Sequence, residues 1–179
     1  METIYHYTSL IHLEKILQDG YLKVSDADRK FGIKPAIWFS KNTNWEPTAT
    51  KMVFNGSEMV ELTQEEQQKT IGMVRFGIPF SNQLVSWRKY GHIGKIAPKL
   101  HAALEQIGIE KGARPGQWYC SFRNIPLTEC VCIEEYDGSN WQSIFEEETN
   151  NEHTSVLNPQ ENDGRTKHGT EKIEIINNN

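Results

Sequence analysis

Residues 3 to 7, TIYHY, open the chain with side chains that favour extended backbone, and Ile4, Tyr5 and Tyr7 define a short strand. The period then changes. Leu10, Leu13, Ile16 and Leu17 recur at helical spacing and form one apolar face, with Thr8 or Ser9 placed to cap the helix and Gly20 placed to end it. Tyr21 to Ser25 return to extended structure. DADRKFGIKP, residues 26 to 35, reads as a loop punctuated by Gly32 and Pro35, and AIWFS, 36 to 40, as a compact aromatic strand. After a second loop, KNTNWEPTAT, residues 51 to 61 fit no single period, and ELTQEEQQ starts as a polar turn or a short helix.

IGMVRFGIP, residues 71 to 79, is a strand that stops at Pro79. SNQLVSWRKYG and APKLHAALEQIG are short helices. In the second, Leu100, Ala103, Leu104 and Ile107 recur at helical spacing and Pro98 suits a first turn. EKGARPG, 110 to 116, is a turn-rich loop, followed by strands in QWYCSFRNIPL and ECVCIEEYDG and a last element around Trp141, Ile144 and Phe145. The order of strands and helices predicts an α+β fold with a mainly antiparallel or mixed sheet. Neither GxGxxG nor GxxxxGK[ST] occurs, so the nucleotide-binding folds that use those loops are not expected. Residues 1–145 form the predicted domain. Residues 146–179 are polar, with few apolar side chains, and are expected to be a disordered tail in which EKIEII, 171 to 176, alone suits an edge strand.

At 179 residues the chain suits one domain, and 37% hydrophobic with 24% charged residues is globular on the polar side. No run approaches the roughly 18 apolar residues of a membrane span. METIYHY lacks the basic start and apolar run of a secretory signal, so a cytoplasmic protein is expected. Cys120, Cys130 and Cys132 suit neither a disulfide framework nor paired metal-ligand arms and are read as buried strand residues, with no metal site. The net charge is −5, yet no acidic residue lies between Gln67 and Leu104. That segment carries Lys69, Arg75, Arg88, Lys89, Lys95 and Lys99 with His92 and His101. It suits a local anion-binding surface for a nucleic-acid or protein target, or a solvated basic face on a helix pair.

Two stretches carry candidate chemistry. His6 sits at a strand end, beside hydroxyl residues and just before a helix. A ring nitrogen, a hydroxyl and backbone N–H groups there converge on one polar ligand such as a ribose hydroxyl or an amide. AIWFSKN ends aromatic-aromatic-serine and offers a stacking wall with one small hydrogen-bonding group. By strand alternation either Trp38 or Phe39 faces inward, not both.

IYHYTSLIHLEKILQDGYLKVS followed by AIWFSKN resembles the N-terminal half of the ADP-ribosyltransferase-like fold, nearest to the DNA-targeting ADP-ribosyltransferase toxins and small bacterial and phage relatives. His6-Tyr7-Thr8 matches the family's first strand, Leu13 to Gly20 its helix and Trp38-Phe39-Ser40 its aromatic-serine strand. The match covers residues 3 to 41, and 110 to 136 more loosely. The resemblance implies a split mixed or antiparallel sheet with short flanking helices. It also implies NAD as a substrate and ADP-ribose transfer to a nucleic acid or protein, in toxin or phage-defence biology. His6 would hold the nicotinamide-side ribose, with Thr8 or Ser9 supporting the turn. Tyr21 or an aromatic of Trp38-Phe39 would stack on nicotinamide, Ser40 would meet the carboxamide or ribose, and Arg29 would neutralise the phosphates.

The family's catalytic glutamate falls in GARPGQWYCSFRNIPL, at a position holding Gln117 or Trp118. Gln117 hydrogen-bonds without charge, so Glu110, earlier in the loop, or Glu129, in a different register, are the candidate acids, unless the target supplies its own base. Two other readings compete. One is a non-catalytic module that sequesters or senses an NAD-derived or nucleotide ligand. The other is an RNA 2′-phosphotransferase-like enzyme, which needs no catalytic glutamate.

Overall fold

The computed structural model describes residues 1–25, 29 and 32–145; the expected tail and its EKIEII segment lie outside the described residues. Seven strands form the main sheet. In spatial order they are β11 (Trp141–Ser143), β10 (Cys132–Tyr136), β6 (Val74–Pro79), β1 (Thr3–Thr8), β3 (Ile37–Ser40), β8 (Trp118–Ser121) and β7 (Val85–Ser86). Every neighbouring pair is antiparallel. Two ribbons stand apart: β2 (Tyr21–Leu22) with β9 (Ile125–Pro126), and β4 (Met52–Phe54) with β5 (Met59–Glu61). Among the described residues four α-helices complete the α+β fold: α1 (Leu13–Asp19), α2 (Gln64–Ile71), α3 (Trp87–Ile93) and α4 (Pro98–Glu110).

Pairing around β1 is lopsided. It matches β6 over six residues, from Thr3 opposite Pro79 to Thr8 opposite Val74, but registers with β3 only at Tyr5 opposite Ser40. Beyond that pair β1 and β3 part, and the space between them becomes the mouth of a cleft.

Several boundaries differ from the sequence expectation, each for a local reason. The Thr63 side chain accepts from the Glu66 N–H while the Glu66 carboxylate accepts from the Thr63 N–H. This capping box starts α2, which runs to Ile71, and Gly72, with a positive φ of 64°, ends it, so β6 begins at Val74 rather than 71. Residues 51 to 61 hold a hairpin whose turn is closed by the Asn55 side chain, which accepts from the Ser57 and Glu58 N–H groups. Val85 and Ser86 pair with β8, so α3 starts only at Trp87. The strand expected across 117 to 127 breaks because the Ser121 hydroxyl accepts from the Arg123 N–H and turns the chain towards β2. Ser9 makes no side-chain cap, and a 3₁₀ turn over Leu10–His12 precedes α1; left-handed Gly20 ends that helix as its sequence predicts.

Both faces of the sheet are covered. On one, Ile4, Ile37, Phe39, Val74, Phe76 and Ile133 pack with Leu22 and Ile125 and meet Leu13 and Ile16 of α1. On the other, Trp38 packs with Trp87, Tyr90, Trp118 and Cys120, and Tyr7 with Trp45 and Met73. The expectation that only one of Trp38 and Phe39 faces inward is therefore corrected: they point to opposite faces and each finds core neighbours. Burial pushes the Cys120 thiol up to about 12 and those of Cys130 and Cys132 up to about 11. Among the described residues no helix is long and apolar enough to cross a membrane.

The apolar face of α4 does not enter the core, for Leu100, Leu104 and Ile107 remain 44%, 40% and 49% exposed. The helix sits down through its other side. His101 stacks on Trp87 at 4.1 Å, and a Cβ at Gly108 would collide with the Trp118 ring. Gly108→Ala is expected to cost about 1–3 kcal/mol through forced displacement of Trp118. The midpoint of thermal unfolding should fall by roughly 2–10 °C, while Gly116→Ala, which meets nothing within 4 Å, leaves it unchanged.

Candidate functional site

A cleft of about 950 Å³ opens where β1 leaves β3. His6 and Phe39 reach it from one face of the sheet, and Trp38, Ser40 and Trp118 from the other. The loop after β3 adds Glu46 and Lys51, and α4 adds Leu100, Leu104 and Ile107 as an apolar wall. That wall explains why a helix face with core-like spacing is left uncovered.

His6 is set by the parting of the strands. The Trp38 carbonyl accepts from His6 Nδ1 at 2.8 Å, so a side chain takes the place of a ladder bond. Nδ1 therefore carries the proton and Nε2 presents a lone pair, with no partner among the described residues. The ring lies 5.9 Å from Phe39 and 6.5 Å from Phe76. Desolvation pulls its pKa down to about 4, the bond to Trp38 opposes this and the nearby Lys51 charge adds to it. At neutral pH His6 is an uncharged acceptor.

Glu46 is the second fixed group. It is 5% exposed, yet no basic side chain pairs with it among the described residues. Hydroxyls do so instead: Ser40 Oγ donates to Oε2 at 2.6 Å and Thr48 Oγ1 to Oε1 at 2.8 Å, and the Thr48 N–H also reaches Oε1 at 3.3 Å. Pro47 starts a 3₁₀ turn directly after it, so the backbone aims the carboxylate back at β3. Lys51 follows, half-buried, with burial lowering its ammonium pKa. The aromatic side is built from Trp38, 4.5 Å from Tyr90 and edge-on to it, and from Trp87, 5.4 Å from Trp118.

Of the residues expected from sequence, His6, Trp38, Phe39 and Ser40 line this cleft. Thr8 and Ser9 are buried nearby but are not part of the lining, and the Ser9 hydroxyl has no partner among the described residues. Tyr21 pairs with Pro126 in the β2–β9 ribbon and Arg29 is exposed; neither lines the cleft. Gln117 reaches β3 through its backbone, whose carbonyl accepts from the Lys41 N–H at 3.0 Å, while the next residue, Trp118, supplies the side chain. Glu110 is exposed and accepts from Gln106. Glu129 lies in a separate cleft of about 700 Å³, closed into a two-point ion pair with Arg123 at 2.7 and 2.8 Å. That second cleft is otherwise lined mainly by apolar and small polar side chains, whereas the first gathers His6, Ser40, Glu46 and Lys51.

Glu46 and Lys51 are the groups that sequence reasoning missed. A signal was present: Glu46 is the sole acidic residue between Asp28 and Glu58, and it stands between a tryptophan and a proline. An isolated carboxylate just before a Pro-initiated turn is a helix-cap position, which places it near the end of the preceding strand.

The folded state holds His6 at about 4 while an unfolded chain titrates near 6.5. Between those values the unfolded chain takes up a proton that the folded one refuses, so stability falls as pH drops through 6.5 and levels off below 4. The loss is about 2 kcal/mol at pH 5. Urea denaturation at pH 7 and pH 5 should show that difference, and His6→Gln, which keeps a donor for Trp38, should remove it. No protein-family model, curated protein or solved structure matches this chain.

Proposed function

We propose that the chain is an ADP-ribosyltransferase-like protein that binds NAD in the β1–β3 cleft and transfers ADP-ribose to a macromolecule. One observation carries this reading: a neutral histidine and a buried, hydroxyl-bound carboxylate face one dinucleotide-sized cleft where two central strands part. His6 Nε2 accepts a hydroxyl proton of the nicotinamide-side ribose. Trp38 and its aromatic neighbours receive the nicotinamide ring. Glu46, in place of the acids sought at Glu110, Gln117 or Glu129, supplies the negative charge that stabilises the oxocarbenium-like centre as the bond to nicotinamide breaks. Ser40 and Thr48 hold that charge in position and need no reorganisation during the step.

The acceptor approaches over the corner between α3 and α4. Arg88, Lys89, His92 and Lys99 are exposed there, without an acidic residue between Gln67 and Leu104 to offset them. A second reading is supported by the same carboxylate. Both Glu46 oxygens are already engaged, as in a purely structural cap, which suits a module that binds the dinucleotide without cleaving it.

Incubation with NAD separates the two. Transfer requires nicotinamide release that falls about 100- to 1,000-fold in Glu46→Gln, with NAD affinity retained. His6→Ala should weaken binding itself. Binding without release favours the module, and absence of both removes the NAD reading.

A further inference from the structure

The cleft is lined by four lysines, Lys23, Lys51, Lys95 and Lys111, against one carboxylate, Glu46. Lys111 is answered by Glu61 from the β4–β5 ribbon, and Glu46 is answered by hydroxyls. Lys23, Lys51 and Lys95 have no acidic partner among the described residues. Two of these are costly to keep. Lys51 is half-buried in the cleft that His6 also lines, where a charge without a partner is disfavoured. Lys95 is the one non-glycine residue with positive φ, 60°, among the described residues. A glycine there would relieve the steric strain of that conformation. A lysine held in a glycine's conformation and another half-buried without a counterion, both on one cleft, call for an anion that arrives from outside.

The structure assigns Lys51 and Lys95 to a diphosphate subsite, in which Lys51, the more buried of the two, grips one phosphate and Lys95 the other. This rests on the dinucleotide reading above for the identity of the ligand, but not for the anion itself. The aromatic side, Trp38, Trp87 and Trp118, then takes the ring system to which the diphosphate is attached. Arg29, which the family resemblance offers for the phosphates, is not part of the lining and is not needed. His6 does not compete for the anion, because it is neutral.

Titration calorimetry with adenosine, ADP, inorganic pyrophosphate and NAD tests the assignment on the full chain. The wild type should bind ADP at least tenfold more tightly than adenosine and should bind pyrophosphate alone. Lys51→Met should abolish most of the ADP-over-adenosine ratio, and Lys51→Arg should restore it. Lys95→Gly should lower ADP affinity several-fold while leaving thermal stability equal or higher, a pairing that a merely structural lysine does not give. If the ADP-over-adenosine ratio survives Lys51→Met and Lys95→Gly, the subsite assignment is wrong, and NAD binding by the same variants leaves the dinucleotide reading standing. If pyrophosphate binds and is lost in Lys51→Met while NAD does not bind, the subsite stands and the dinucleotide reading fails. If the wild type binds none of the four, both fall.

Discussion

A buried backbone carbonyl needs a donor, and the central part of this fold is organised around one that the sheet does not supply. Trp38 lies where β1 has already left β3, so its carbonyl is answered by the His6 ring. The bond does two things at once. It lets the two central strands part, which creates the cleft, and it fixes the proton on Nδ1, which leaves Nε2 as an acceptor. A full β1–β3 ladder would close the gap. A gap without the imidazole would leave the Trp38 oxygen unpaired, at a cost of about 1–3 kcal/mol.

The charges of the cleft are handled unequally. Glu46 is surrounded by donors of its own chain and is preorganised in the absence of any ligand. Lys51 is not; it is half-buried and its ammonium has no counterion among the described residues. Elsewhere the fold pairs its buried cations carefully. Arg75, on the adjacent strand, donates to Glu134 at 2.7 Å and to the Thr43 carbonyl, and lies 4.2 Å from the Tyr5 ring and 4.5 Å from that of Trp141. The contrast between Arg75 and Lys51 separates a charge answered within the protein from one that is not.

Local signals in the sequence were legible because they depend on neighbours in the chain. Leu13 to Gly20 showed its helix, and IYHY and IWFS their strands, and from these came His6, Trp38, Phe39 and Ser40. What could not be read depends on pairing. Gln117 sits next to the site by backbone, but strand register decides that Trp118 and not Gln117 points at Ser40. Glu46 approaches Ser40 only because the Pro47 turn folds the loop back, a contact six residues long that no periodicity encodes. In α4, Leu100, Leu104 and Ile107 have the spacing of a core face. Only the position of Gly108 against Trp118 shows that the helix rests on its other side.

The two ends of the main sheet are β7 and β11, two and three residues long. Each therefore exposes only a few unpaired backbone groups, too short a template for a strand from another molecule to add in register. The long strands, β1 and β6, lie inside the sheet with neighbours on both sides. Edge-to-edge polymerisation of the main sheet, the common hazard of an antiparallel sheet at high concentration, is thus disfavoured by strand length at both of its edges among the described residues.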